Sequence, residues 1–249
     1  MEAIVLAGGF GTRLRSVVSD IPKPMAPVAG RPFLELLLCS LKAKGITRAI
    51  LSVGYMSQVI TSHFQKRPIG IDLEYEVEST PLGTGGAIAA ALRHVTRDHV
   101  FVFNGDTYLD LDLSAVAAMW PGDQTPIVVA RSVPDTERFG ALELANGRIL
   151  HFLGSGQKGA GAVNAGCYLI PRNVFAVTSL PDAFSFEQDF LGRRPPMSLR
   201  AFLSNGQFID IGVPEDYHRA QRDLAGLAGS ATESAELESG QANQSIKRS

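Results

Sequence analysis

The apolar run Ile4-Val5-Leu6 passes into Ala7, Gly8, Gly9, Gly11, Thr12 and Arg13. Glycines at this density let backbone N–H groups approach a ligand without Cβ clashes, and such loops cradle phosphates and bases. Arg13 adds a planar cation suited to phosphate oxygens. The loop is not G-x-x-x-x-G-K-[ST], and Leu14 stands where the third glycine of G-x-G-x-x-G would fall. On local composition alone it is as readily a structural turn. Downstream, Lys23 is pinned between two prolines in Pro22-Lys23-Pro24-Met25. Two carboxylates add to these cations. Asp106 follows Phe101-Val102-Phe103 and Asn104-Gly105. A carboxylate at the C-terminal end of a parallel strand points into the crevice where open α/β sheets bind ligands. Asp210 lies in Phe208-Ile209-Asp210-Ile211-Gly212, an otherwise apolar strand in which a carboxylate must pair with something.

The elements that position these groups follow from apolar periodicity. Strands are predicted at 49–53, 71–77 and 100–103, with helices at 57–66 and 85–95 between them. A helix from Arg31-Pro32 to Lys44 has proline early and Gly45 just past its end, with Leu34, Leu37, Leu38 and Leu41 on one face. Apolar strands alternating with helices predict a parallel sheet covered on both faces. After about residue 112 the rhythm changes. A helix at 113–120 and strands at 127–130 and 163–170 are expected. Asn146-Gly147 and Asn205-Gly206 each stand between short apolar runs, which predicts two hairpins, 141–144 with 148–152 and 199–203 with 207–211. Residues 154–161 are glycine-rich, and a closing helix is expected at 214–227. The predicted fold is α/β: a Rossmann-like three-layer sandwich with one mixed, mostly parallel sheet and a hairpin-rich second half. From residue 229 the chain is Ser, Glu, Gln, Asn and Ala, so 1–227 reads as the domain and 228–249 as a tail unable to offset its ordering entropy.

The 249 residues carry a net charge of −2, which creates no global field for a nucleic acid. The N-terminus lacks a secretory pattern and no apolar run reaches membrane-spanning length, so a cytoplasmic protein with no membrane partner is expected. Cys39 and Cys167 have no zinc spacing and read as inert core thiols. Homo-oligomerisation is left open.

Leu6-Ala7-Gly8-Gly9-Phe10-Gly11-Thr12-Arg13-Leu14 followed by Pro22-Lys23-Pro24-Met25 resembles the signature of the sugar-1-phosphate nucleotidylyltransferases, and later motifs match in order over residues 1–224. Within that family the chain looks most like the short guanylyltransferases acting on heptose or mannose 1-phosphates. The resemblance implies attack of a sugar 1-phosphate oxygen on the α-phosphorus of an NTP with loss of pyrophosphate. Such a site needs cations, metal and backbone donors more than a nucleophile. It implies Arg13 on the β- and γ-phosphates and Lys23 on the α-phosphate and the sugar phosphate. Asp106 and Asp210 would ligate Mg²⁺, which favours one or two carboxylates plus phosphate oxygens and water. Asp210 through Pro214 match the family's D-[IV]-G-[TV]-P.

Pro81 through Ala87 resemble the nucleoside-contacting segment that begins a helix, giving Gly83 and Thr84 as nucleotide contacts beside Leu6, Ala7, Gly8, Gly9, Gly11 and Thr12. Glu78 lies five residues before Gly83. A carboxylate can accept two parallel hydrogen bonds from guanine N1–H and N2–H₂ but offers uracil or thymine no donor, which argues for GTP. On the sugar side, Asn164-Ala165-Gly166-Cys167-Tyr168 matches N-[AT]-G-x-Y, so Asn164 and Gly166 are expected at the sugar, with Glu187 on its hydroxyls and the Gly140 N–H at the pocket wall. The family's Glu-Lys-Pro is replaced by Leu153-Gly154-Ser155; Lys158 is the candidate substitute for its phosphate-binding lysine. Two rival readings stand beside this one. Asp110-Leu111-Asp112 is a literal D-x-D, the metal motif of glycosyltransferases, and the missing lysine fits a nucleotide-sugar-binding homologue without turnover.

Overall fold

The computed structural model describes residues 1–9, 14, 18, 21–120 and 122–227. Gly11, Thr12 and Arg13 lie outside the described residues, as does the expected tail at 228–249. The chain opens with β1 (Glu2–Leu6), a small ribbon of β2 (Pro27–Val28) and β3 (Arg31–Pro32), and α1 (Phe33–Ala43). It continues through β4 (Arg48–Val53), α2 (Ser57–Lys66), β5 (Asp72–Val77), α3 (Gly83–Ala91) and β6 (His99–Asn104). The second half comprises β7 (Thr107–Leu109), α4 (Leu113–Ala118), β8 (Ile127–Val133), β9 (Ala141–Ala145), β10 (Arg148–Gly154) and β11 (Gly161–Pro171), then β12 (Leu199–Ser204), β13 (Phe208–Asp210) and α5 (Pro214–Asp223).

Nine of these strands form one sheet in the order β5-β4-β1-β6-β11-β8-β12-β10-β9. Following the ladders, only β10 and β11 run against the others, so the sheet is mixed with most strands pointing one way. Alternation sends Ala3 and Val5 to one face, packed with the leucines of α1, and Ile4 to the other, packed with Ile88 of α3. Helices therefore cover both faces, as the apolar strands require. Pro32 precedes α1 and Gly45, at φ +92°, follows it. α3 is built from small residues because its surroundings leave no room. A Cβ at Gly85 would fall 2.1 Å from the Phe184 ring, and one at Gly86 2.3 Å from the Asp182 carbonyl oxygen.

The hairpin at Asn146-Gly147 forms as β9 and β10, with φ +51° and +68° at the two turn residues, the pair of left-handed conformations a two-residue turn of this twist needs. The second expected hairpin does not form. β12 runs parallel to β8, and β13 leaves the sheet to pair antiparallel with β7. Neither Asn205 nor Gly206 has a positive φ. Gly206 answers a different demand: a Cβ there would lie 1.7 Å from the Asp110 carbonyl oxygen. The dipeptide marks a close backbone approach that diverts the chain. β13 falls within the strand expected at 207–211, whereas the π-helical turn at Phe186–Phe190, β7 and the pairing of β7 with β13 have no periodic signature.

Gly206→Ala is expected to destabilise the fold by about 1–3 kcal/mol through overpacking. The urea midpoint measures this, and a midpoint equal to wild type contradicts the packing account.

Candidate active site

A cavity of about 420 Å³ opens at the C-terminal ends of β1 and β6. This is where open α/β sheets gather ligands. Leu6, Gly8 and Gly9 form one wall, and Lys23 with Pro24 enters from the segment before β2. Glu78, Gly83 and Thr84 line a second side, with Asn104, Asp106 and Gly212 opposite. Ala7 is buried behind the wall, its N–H donating to the Ser52 carbonyl at 2.8 Å.

Lys23 Nζ lies 2.5 Å from Asp106 Oδ2 and 3.9 Å from Asp210 Oδ1. The lysine side chain is only 9% exposed, so both carboxylates offset the cost of burying its charge. The β7–β13 ribbon brings them together. Its register sets Asp210 opposite Thr107, next to Asp106, and the Ile211 N–H donates to the Asp106 carbonyl at 3.0 Å. Asp210 Oδ1 accepts the Gly212 N–H at 2.7 Å. A Cβ at Gly212 would sit 2.7 Å from that oxygen and 3.1 Å from Lys23 Nζ.

Glu78 is held at both oxygens. The Ser52 hydroxyl donates to Oε1 at 3.0 Å and the Leu82 N–H to Oε2 at 3.1 Å. Gly8 has no Cβ for a concrete reason, since one would lie 2.5 Å from Glu78 Oε1. Gly83, at φ +68°, opens α3, and the next residue, on the cavity lining, has its hydroxyl engaged within the protein: the Thr84 hydroxyl donates to Glu187 Oε2 at 2.7 Å and accepts the Phe186 N–H at 2.8 Å.

From Glu187 the network continues. The Tyr168 hydroxyl donates to Glu187 Oε1 at 3.1 Å and accepts from Asn164 Nδ2 at 2.8 Å, while Asn164 Oδ1 accepts the Gly166 N–H at 3.1 Å. Burial first, and the neighbouring Glu187 charge second, push the Tyr168 phenol well above its ordinary range, so it remains a donor. Tyr168 thus links Asn164 to Glu187, and neither of these two residues is on the lining of the cavity. Gly140 is exposed, and its carbonyl accepts the Asn164 N–H at 3.0 Å. Lys158 does not line the cavity; it is 79% exposed, with Nζ 3.4 Å from Glu137 Oε1.

Sequence reasoning missed Ser52, which has no local signal. Asn104 and Gly212 lie inside motifs, and no local signal assigns either a role. The D-x-D carboxylates have other employment: Asp110 pairs with Lys44 at 2.7 Å, and Asp112 caps α4 by accepting the Ser114 and Ala115 N–H groups. Among the described residues no group of three or more His, Cys, Asp or Glu could hold a metal, and no helix is long and apolar enough to cross a membrane.

The family model described as Nucleotidyl transferase matches residues 2–226. A D-glycero-alpha-D-manno-heptose 1-phosphate guanylyltransferase from Aneurinibacillus thermoaerophilus is 41% identical over 226 residues, spanning 90% of this chain and 98% of its own. One of the same description from Campylobacter jejuni is 40% identical across 88% of this chain and 97% of its own. The crystal structure of HddC from Yersinia pseudotuberculosis complexed with GMP-PN superposes with a TM-score of 0.82 at 36% identity, covering 90% of this chain and 99% of that one.

Replacing Thr84 by valine keeps its shape but leaves the Phe186 N–H and Glu187 Oε2 without the hydroxyl. The expected loss is about 1–3 kcal/mol of unfolding free energy. A denaturant series on Thr84→Val measures it, and the loss should shrink when Glu187 is already glutamine.

Proposed function

The chain belongs to the nucleotidyl transferase family, and we propose that it transfers GMP from GTP to a D-glycero-D-manno-heptose 1-phosphate within a single domain spanning residues 1–227. An oxygen of the sugar phosphate attacks the α-phosphorus, the bond to the β-phosphate oxygen breaks, and pyrophosphate leaves. The observation that carries this reading is the meeting of Lys23, Asp106 and Asp210 at one edge of a cavity whose other edge is Gly8, Gly83 and Glu78. Two polyanions need a cationic meeting point, and positioning with charge stabilisation is most of what phosphoryl chemistry asks of a protein.

Asp106 and Asp210 fit Mg²⁺. Two carboxylates that share Lys23 Nζ, 34% and 29% exposed, match an ion that takes one or two protein carboxylates and completes its shell with phosphate oxygens and water. Bound there, Mg²⁺ would neutralise charge developing on the phosphates. Lys23 is poised to exchange a carboxylate for phosphate oxygens and so to draw the α-phosphate and the sugar phosphate together. Arg13 is proposed for the β- and γ-phosphates, with Gly11 and Thr12 in the same loop.

Glu78 is proposed to read guanine. Its oxygens each accept one hydrogen bond from the protein, from Ser52 and Leu82, and each keeps a lone pair. GMP-PN in the Yersinia relative supports the same nucleotide class. Asn164, Gly166, Glu187 and Gly140 are proposed for the sugar side, whereas the Lys158 pairing with Glu137 gives no support to its phosphate role. A cytoplasmic location and a supply of nucleotide sugar for polysaccharide or lipopolysaccharide synthesis belong to the same proposal. The employment of Asp110 and Asp112 removes the basis of the D-x-D glycosyltransferase reading.

The test is pyrophosphate release across four nucleotides and several heptose and hexose 1-phosphates; no release with GTP and any sugar phosphate would reject the reading. Asp106→Ala and Asp210→Ala should each lower turnover by about a hundredfold or more. Wild-type turnover in either would remove that carboxylate from the chemistry. Glu78→Gln should narrow the preference for GTP over UTP by about tenfold or more, and an unchanged nucleotide ranking would end the base-reading assignment.

A further inference from the structure

Asn104 is the last residue of β6 and stands on the cavity wall, beside Leu6 of β1 in register and against Gly166 of β11. A carboxamide carries two donor hydrogens and an acceptor oxygen with two lone pairs. Among the described residues the Asn104 side chain forms no hydrogen bond, and its Oδ1 is buried. Asn164 on the neighbouring strand is the reverse case: its Nδ2 donates to Tyr168 and its Oδ1 accepts from Gly166, so its amide is engaged in holding Glu187.

The fold makes room for the idle amide. Gly166 sits at φ +67°, and a Cβ there would lie 2.5 Å from Asn104 Nδ2. A side chain at residue 166 and the Asn104 amide would exclude each other. Packing alone gives this position no reason to be polar, since an apolar residue would fill the gap without an unpartnered oxygen. The terminal amide torsion is soft, so either end can turn toward the cavity. Asp106 is two residues further on, at the proposed phosphate site, and the base-reading carboxylate lies across the cavity on the Gly8 side.

We propose that Asn104 is a sugar-reading residue: its amide exchanges hydrogen bonds with a ring hydroxyl of the sugar 1-phosphate and thereby helps select the sugar. The assignment rests on the guanylyl-transfer reading above. A hydroxyl both donates and accepts, which suits an amide with both functions free. A site built to bond a hydroxyl rejects the analogue lacking it, because the protein group is then left without a partner.

The experiment compares wild type, Asn104→Leu and Asn104→Asp, the last having the same shape but an acceptor where the donor was. Pyrophosphate release is measured with GTP and D-glycero-D-manno-heptose 1-phosphate, and with its monodeoxy analogues. The expected result is a sugar-phosphate KM raised about tenfold or more in both variants, with the GTP KM within about twofold of wild type. One deoxy analogue should be penalised by wild type and not by Asn104→Leu. Without substrates, Asn104→Leu should melt at or above the wild-type temperature, because it removes an unpartnered buried oxygen. An unchanged sugar KM, a rise confined to the GTP KM, or a lowered melting temperature with equal losses on every analogue would each overturn the proposal. A wild type that releases no pyrophosphate with any sugar 1-phosphate would overturn the transfer reading itself, which separates the two failures.

Discussion

Lys23 carries a positive charge into a place that leaves its side chain 9% exposed, and it is tolerable there because Asp106 and Asp210 meet it. The three residues come from distant parts of the chain, and each arrives by a different device. Proline on both sides fixes the lysine segment. Gly105 lets the turn after β6 press against β1, where a Cβ would lie 2.6 Å from the Leu6 carbonyl oxygen. The β7–β13 ribbon delivers Asp210 by main-chain pairing to the residue following Asp106. α5 supports the arrangement from outside: the Tyr217 hydroxyl donates to the Pro27 carbonyl at 2.6 Å, and Gln221 bonds the Pro27 carbonyl and the Ala29 N–H. Removing any one charge would leave the others in a setting built for three.

Hydrogen bonds within the protein orient most of the polar groups at and beside the cavity. Thr84, Tyr168, Glu187 and Asn164 form one hydrogen-bonded run from the start of α3 to β11, and the direction of every bond follows from a carboxylate that can only accept. Ser52 and the Leu82 N–H fix Glu78 in the same manner. A side chain oriented at both ends spends little entropy on binding, which is what preorganisation means in energetic terms. Asn104 has no such partners, and that difference distinguishes it from the other polar residues nearby.

Local patterns were legible where short-range physics decides them. β1, β4, β5 and β6, with α1, α2 and the Asn146-Gly147 hairpin, follow from periodicity, flanking proline and glycine, and the φ demands of a two-residue turn, whereas the β2–β3 ribbon, which takes Arg31-Pro32 out of the expected helix, does not. Asn205-Gly206 carries the same dipeptide and does something else, because the Asp110 carbonyl presses on Gly206 and the following strand finds a better partner in β7. Likewise Asp110-Leu111-Asp112 has the letters of a metal motif, yet one carboxylate serves an ion pair and the other a helix cap. A motif states which groups are available, not which neighbours claim them.

The sequence by itself determined the alternation of buried strands and covering helices, the family signature and the identity of the charged groups, since composition, periodicity and residue chemistry are properties of the chain. Tertiary structure alone decided that Asp210 stands beside Asp106, that Thr84 faces Glu187, that Lys158 points at Glu137 and that the amide of Asn104 is left without a partner. Those outcomes depend on contacts between residues scores of positions apart, where competition among hydrogen-bond partners and the space available for a Cβ settle the pairing, and no local pattern records that competition.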